Sequence, residues 1–130
     1  MNVRRVLLID DEVSFTLLLK RYLEKVGGYD VHEAHSGAEG IEAAKRLRPA
    51  IILLDVNMPF MDGSAVADAL RREPATATIP VIFLTAIVSK EEARDRAGQI
   101  GGHRFIAKPA SGKEVTDAIE RLLGPASSAA

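Results

Sequence analysis

Residues 53–63 read LLDVNMPFMDG, and this stretch decides the fold. Its apolar start, which belongs to a run over 50–54, is typical of a strand buried on both faces of a parallel sheet. The run ends on a carboxylate, Asp55. The Asp62-Gly63 pair that follows predicts a turn in which Gly63 supplies a positive φ. The stretch therefore predicts a buried strand that presents an acid at its tip.

Comparable elements alternate along the rest of the chain. Apolar runs predict strands at 6–9, 50–54, 80–84 and 105–107, and a weak alternation predicts an edge strand at 29–34. Helical spacing predicts helices at 13–26, 36–47, 64–72, 91–99 and 111–123. Five strands that alternate with five helices predict an α/β fold, a doubly wound parallel sheet with helices on both faces.

Three helices carry more detailed expectations. The apolar face of the first helix is predicted to contain Phe15, Leu18, Leu19, Tyr22 and Val26. Ser36 with Glu39, and Ser111 with Glu114, have the spacing of capping boxes at the starts of two others.

Length and composition exclude several classes of protein. A chain of 130 residues is long enough for one domain with a core. Its 17 basic and 18 acidic residues argue against direct binding of nucleic acid, which needs a basic face. The absence of cysteine excludes disulfides and thiolate chemistry. No apolar run suggests a signal peptide or a membrane span, so we expect a cytoplasmic domain.

Polar side chains follow the strands that should lie at the centre of the sheet. They are Asp10, Asp11 and Glu12 after the first strand, Asp55 and Asn57 after the third, Thr85 after the fourth and Lys108 after the fifth. Each alone has an ordinary explanation as a helix cap, a turn residue or a solvated charge. Because ligands bind outside the carboxyl ends of parallel strands, their joint occurrence predicts a functional site. His32, His35 and His103 are interpreted as surface residues.

The chemistry of this set points to a cation and a phosphoryl group. Two like charges about 4 Å apart repel by about 4 kcal/mol at an effective dielectric near 20, so converging carboxylates need a counterion. Oxygen ligands without His or Cys favour Mg²⁺ or Mn²⁺, and Mg²⁺ favours phosphoryl oxygens. Asp55 is then the candidate nucleophile, and Thr85 and Lys108 are candidate donors to the phosphoryl oxygens.

Four blocks of sequence together resemble the receiver domain of two-component response regulators. They are Asp10-Asp11-Glu12, the segment 55–63, Thr85-Ala86 and Lys108-Pro109. The resemblance implies a flavodoxin-like (βα)5 fold with strand order 2-1-3-4-5. It also implies a receiver domain over 1–124, with a flexible tail or linker stub at 125–130.

The resemblance also implies roles for single residues. Asp55 would accept a phosphoryl group from a sensor histidine kinase, and Thr85 and Lys108 would contact that group. Asp11 and Asp55 would bind Mg²⁺ directly, Asn57 through its backbone carbonyl and Asp10 mainly through water. The Lys108-Pro109 bond would be cis. Such a domain catalyses only its own phosphorylation and dephosphorylation.

The resemblance further implies a switch in which Thr85 moves toward the phosphoryl group and Phe105 rotates inward. The alternative is that Phe105 only fills the core. Ile87, two residues past Thr85, is apolar and cannot orient a water molecule, which predicts slower loss of the phosphoryl group than in an Ile87→Glu variant.

Two other functions remain open from the residues. A phosphatase of the haloacid dehalogenase type also uses a strand-end Asp, but it needs a second acid two residues later, where this chain has Asn57. A receiver that only docks, without phosphorylation, is the third possibility. Within the switch interpretation, the partner beyond the kinase is a histidine phosphotransfer protein or a downstream effector.

Overall fold

The computed structural model describes residues 3–56, 58, 63–86, 91, 99–100, 103–108 and 110–124. The strands in this part of the chain are β1 (Arg5–Ile9), β2 (Asp30–Ala34), β3 (Ile51–Asp55), β4 (Val81–Thr85), β5 (Gln99–Ile100) and β6 (His103–Ala107). The helices are α1 (Val13–Lys25), α2 (Gly37–Leu47), α3 (Gly63–Arg72) and α4 (Gly112–Leu123). None of the described helices is long and apolar enough to cross a membrane.

The strands form one sheet in the order β2-β1-β3-β4-β6-β5. The first five of these are parallel, and β6 is the fifth strand that the sequence predicts. The predicted fold class and the order 2-1-3-4-5 are therefore confirmed. The two-residue strand β5, antiparallel to β6, was not predicted.

Gln99 corrects one boundary, because it lies in β5 and not at the end of a helix. Two residues are too few to show a sequence period, so their pairing with β6 comes from tertiary structure. Residues 92–98, which make up most of the predicted helix at 91–99, lie outside the described part.

Two hydrophobic cores cover the two faces of the sheet. On one face, Val6 and Leu8 of β1 belong to a core shared with Leu23 of α1 and Ile119 of α4. On the other face, Leu7 and Ile9 of β1 belong to a second core. Its members from α2 and α3 are Ala43, Ala44, Val66, Ala67 and Leu70. All five residues of β3 are buried, which explains why its sequence shows no alternation of apolar and polar residues.

The apolar face of α1 differs from the predicted one. Leu19 is buried as expected, but Leu18 is 68% and Val26 is 63% exposed. The buried residues of this helix are Thr16, Leu19 and Leu23. Their spacing of three and four residues places them on one face of α1, which packs against the sheet. Leu18, the residue before Leu19, lies outside this face and is exposed.

Both predicted serine caps are present. Ser111 and Glu114 form the full capping box at the start of α4. The hydroxyl of Ser36 accepts from the backbone N–H of Glu39, at 3.2 Å. The Glu39 carboxylate accepts from the N–H of His35, at 2.6 Å, and not from that of Ser36, so this second cap departs from the predicted box by one residue.

Arg4 ties the start of the sheet to the end of α4. Its guanidinium donates to the carbonyl of Leu123 at 3.0 Å and to that of Gly124 at 2.6 Å. These carbonyls lie at the carboxyl end of the helix, where helical partners are missing and a positive charge is favourable.

Candidate functional site

The polar residues predicted at the strand ends meet at one edge of the sheet. Asp10 follows β1, Asp55 ends β3, Thr85 ends β4 and Lys108 follows β6. Backbone hydrogen bonds continue the pairing beyond the strands: the N–H of Lys108 donates to the carbonyl of Thr85 at 2.8 Å. The site therefore rests on regular strands of the central sheet and not on loops alone.

Asp10, Asp11 and Asp55 form a group that we call the acid cluster. One carboxylate oxygen from each lies within 4.8 Å of those of the other two. Asp10 is fully buried, Asp55 is 5% exposed and Asp11 is exposed. Buried carboxylates at this separation repel each other unless cations offset their charge.

Lys108 supplies part of that charge. Its Nζ lies 2.8 Å from Oδ2 of Asp10 and 3.7 Å from Oδ1 of Asp55. The shorter contact is an ion pair without the alignment of a hydrogen bond, because Oδ2 of Asp10 has no aligned donor among the described residues. Burial lowers the pKa of the Lys108 ammonium, but the carboxylates of Asp10, Asp55 and Glu12 outweigh it and hold the pKa above its usual value. Lys108 is therefore charged at neutral pH.

Two further neighbours of Lys108 are Glu12, which was predicted at this edge without a role of its own, and Phe15, which was not predicted at the site. Glu12 lies 3.4 Å from the Nζ of Lys108, and the centre of the Phe15 ring lies 4.6 Å from it. Because Phe15 was assigned to the apolar face of α1, its contact with Lys108 was not predicted. The only signal for it was its position one turn after the acidic residues that follow β1.

The end of β3 requires a glycine at position 63, but for a different reason from the predicted one. Gly28 and Gly124 are the glycines with positive φ among the described residues, so the prediction for Gly63 is wrong. A Cβ on Gly63 would lie 2.7 Å from the carbonyl oxygen of Asp55 and 2.8 Å from Cα of Val56. The start of α3 thus packs directly on the backbone that carries Asp55.

Thr85 and Phe105 lie on the adjacent strands β4 and β6. Thr85 is 2% exposed, and Phe105 is half-buried. The Phe105 ring stacks on that of Phe83, with centroids 5.3 Å apart and an angle of 27° between the planes. A cavity of about 140 Å³ borders both rings, and it is lined by Val56, Ser64, Ala67, Asp68, Arg71, Phe83 and Phe105.

Several predicted features lie outside the described residues: the backbone carbonyl of Asn57, the Lys108-Pro109 bond, Ile87 and the tail at 125–130. His32 and His35 are half-buried, and each contacts a carboxylate, of Asp30 at 3.2 Å and of Glu33 at 3.3 Å respectively. Neither belongs to the acid cluster. The side chain of His103 is not described.

Comparison with known proteins identifies this arrangement. The family model for the response regulator receiver domain matches residues 6–120. The chain is 40% identical over 118 residues to the transcriptional regulatory protein SrrA of Staphylococcus aureus, covering 91% of this chain and 47% of that protein. It is 37% identical over 123 residues to a probable transcriptional regulator, ycf27, of Porphyridium aerugineum, covering 95% of this chain and 49% of that protein. The chain thus spans about half the length of these curated relatives.

Solved structures agree with the family model. The chemotaxis protein CheY4 of Vibrio cholerae superposes with a TM-score of 0.80 at 28% identity, covering 94% of this chain and 100% of that one. The receiver domain of the sensor histidine kinase PA1611 of Pseudomonas aeruginosa, with a magnesium ion coordinated in its active-site cleft, superposes with a TM-score of 0.79 at 26% identity. That match covers 95% of this chain and 99% of that one. The chain belongs to the family of response regulator receiver domains.

Proposed function

We propose that this receiver domain is a switch operated by phosphorylation of Asp55. The phosphoryl donor is the phosphohistidine of a sensor histidine kinase, and the phosphorylated form controls the binding of a partner. The observation that carries this proposal is the acid cluster with the charged Lys108 at its edge. It combines a buried nucleophile with groups that can neutralise a phosphoryl group.

The residues of the acid cluster fit a divalent cation such as Mg²⁺ or Mn²⁺. They offer only oxygen ligands, which hard cations prefer. Oδ2 of Asp10 is buried without an aligned donor, so it has capacity to accept one from a metal-bound water. Asp11 and Asp55 would bind the ion directly, Asp10 through water and Asn57 through its backbone carbonyl. When bound, the ion supplies positive charge that offsets the carboxylates and the phosphoryl oxygens.

The residues of the chain itself perform the transfer. A carboxylate oxygen of Asp55 attacks phosphorus, an oxygen–phosphorus bond forms, and the nitrogen–phosphorus bond breaks with its electron pair left on the imidazole. Lys108, whose Nζ already lies 3.7 Å from Asp55, donates to one phosphoryl oxygen as a point charge. Thr85 donates to another through its hydroxyl.

The same contact begins the switch. Movement of Thr85 toward the phosphoryl group frees space on β4, and the ring of Phe105 rotates inward. The half-buried position of Phe105 and the cavity of about 140 Å³ beside it support this step, because the ring has room to move. If Phe105 only fills the core, its environment will be the same in both states.

The partners follow from the family and remain part of the proposal. A sensor histidine kinase donates the phosphoryl group, and a histidine phosphotransfer protein or an effector responds to it. The switch lies within residues 1–124, acts in the cytoplasm and makes no direct contact with nucleic acid.

Phosphorylation with a small donor tests the proposal. The purified chain is incubated with acetyl phosphate and Mg²⁺, and its intact mass is recorded with time. We expect an adduct of one phosphoryl group that maps to Asp55 and depends on Mg²⁺. The Asp55→Asn variant should form no adduct. Asp117→Asn, a matched change at an acid of α4 outside the site, should form it at the rate of the unmodified chain.

The other outcomes identify the alternatives. Repeated turnover of varied phosphomonoesters would instead support a phosphatase. A folded chain without any adduct would support a receiver that only docks. An adduct on Asp55→Asn equal to that of the unmodified chain would show that phosphorylation occurs at another residue.

A further inference from the structure

The Nζ of Lys108 lies close to an uncharged aromatic ring as well as to carboxylates. Three carboxylates surround the ammonium at 2.8, 3.4 and 3.7 Å, and the ring of Phe15 lies 4.6 Å away on α1. We propose that Phe15 is a positioning residue, whose ring face holds the Lys108 ammonium at the opening of the acid cluster. This role rests on the function proposed above.

The geometry is that of a cation–π contact. An ammonium within about 6 Å of a ring centroid is attracted by the negative face of the ring. The contact is strongest away from water, and the Lys108 side chain is only 13% exposed. Phe15 is half-buried and packs against the core beneath α1, so the position of its ring is fixed by the fold.

A cation bound at the acid cluster would weaken the attraction of its carboxylates for Lys108, but it would not weaken that of the Phe15 ring. Asp10 and Asp55 contact Lys108, but they also belong to the acid cluster, so a cation there draws on the same oxygens. Glu12 is free of that competition, but its side chain is 59% exposed and its charge is screened by water. Phe15 offers no oxygen to the metal. Its attraction for Lys108 is therefore the same with and without the ion.

This constant attraction between Phe15 and Lys108 would matter during phosphorylation. Lys108 has to leave Asp10 and reach a phosphoryl oxygen on Asp55, and a side chain as flexible as lysine gains many other rotamers once its carboxylate partners are occupied. The ring restricts the ammonium to the correct side of the site during that exchange. The expected contribution is a faster transfer, without a change in the affinity for the metal.

Substitution of the ring tests the proposal in the full chain of 130 residues. Phe15→Leu keeps an apolar side chain but removes the π face, whereas Phe15→Tyr keeps the face. With acetyl phosphate and saturating Mg²⁺, we expect Phe15→Leu to be phosphorylated about three- to tenfold more slowly. Phe15→Tyr should stay within about twofold of the unmodified chain. Leu18→Ala, an exposed apolar residue of the same helix, serves as a control and should keep the full rate.

Two further measurements separate positioning from a general loss of structure. The Mg²⁺ affinity of Phe15→Leu should equal that of the unmodified chain. In the metal-free protein, the ε-methylene protons of Lys108 should show an upfield ring-current shift by NMR. That shift should disappear in Phe15→Leu and persist in Phe15→Tyr.

Distinct results would overturn the proposal. They are an unchanged phosphorylation rate in Phe15→Leu, an equal loss of rate in both Phe15 variants, or Lys108 protons without a ring-current shift in the unmodified chain. Failure of the proposed function has another signature: the unmodified chain would form no adduct on Asp55, while the Lys108 shifts would still follow the pattern expected for Phe15 and its variants.

Discussion

Asp10 shows what one residue must satisfy at this site. It is fully buried, and a buried carboxylate is stable only when charges and donors compensate it. One oxygen, Oδ1, accepts from the N–H of Glu12 at 2.9 Å, and the other is paired with Lys108. The Lys108 ammonium therefore compensates the buried charge of Asp10 at the end of β1.

Ile87 carries a prediction about the lifetime of the phosphorylated form. Its side chain cannot orient water for attack on an acyl phosphate, so Ile87→Glu should lose the phosphoryl group faster. The gain should be severalfold and remain below the roughly 100-fold that a well-placed general base provides. The decay of the intact-mass adduct after removal of acetyl phosphate measures the rate. Ile87→Leu, which keeps an apolar residue, should match the unmodified chain, and equal rates in Ile87→Glu and Ile87→Leu would contradict the prediction.

The sequence locates some residues at the site better than others. Asp10, Asp55, Thr85 and Lys108 could be placed at one edge because each follows a recognisable apolar strand. Phe15 could not, because its contact with Lys108 joins a helix to a loop more than 90 residues later in the chain. Such contacts depend on how α1 packs, which a period of apolar residues describes only approximately.

The capping box of α4 gives a prediction at the level of an element. The Ser111 hydroxyl accepts from the N–H of Glu114 at 3.1 Å, and the Glu114 carboxylate accepts from the N–H of Ser111 at 3.0 Å. Ser111→Ala removes the first bond and should lower the free energy of unfolding by about 1 kcal/mol. Urea denaturation measures this change. Ser14→Ala, at an exposed position inside α1, should change stability by less than about 0.5 kcal/mol. Equal losses in the two variants would show that the cap is not the cause.

Most helices and strands could be predicted from the sequence, and the features that could not be predicted share a cause. Apolar runs identified four of the five parallel strands, a weak alternation identified β2, and serine caps marked the starts of α2 and α4. Strand β5, the orientation of α1 and the reason for Gly63 were missed. Each of these is set by a contact with another element: β5 with β6, α1 with the sheet, and Gly63 with the backbone of Asp55.

At the scale of the whole molecule, the proposed binding of a cation at the acid cluster gives a prediction about stability. A ligand that binds only the folded state stabilises it by about 1.4 kcal/mol when its concentration is ten times Kd. For a domain of this size, that corresponds to a rise in Tm of about 4–6 °C. Thermal unfolding with and without Mg²⁺ measures the shift. Asp11→Asn should reduce the shift strongly, whereas Asp68→Asn, which removes an equal charge outside the acid cluster, should retain it.

Either of two results would contradict this prediction. One is a Tm of the unmodified chain that does not respond to Mg²⁺. The other is a rise of the same size in Asp11→Asn, which would indicate binding elsewhere on the surface.

The hydrogen bonds from Arg4 to the last turn of α4 have a practical consequence for experiments in cells. They bring residues 4 and 124 together at the amino ends of the strands, while Asp55 lies at the opposite edge of the sheet. A fluorescent reporter or an affinity tag attached through either of these positions would be tethered far from Asp55. Reporters attached at residues 4 and 124 would therefore start side by side, close enough for energy transfer between paired fluorophores, and away from the acid cluster.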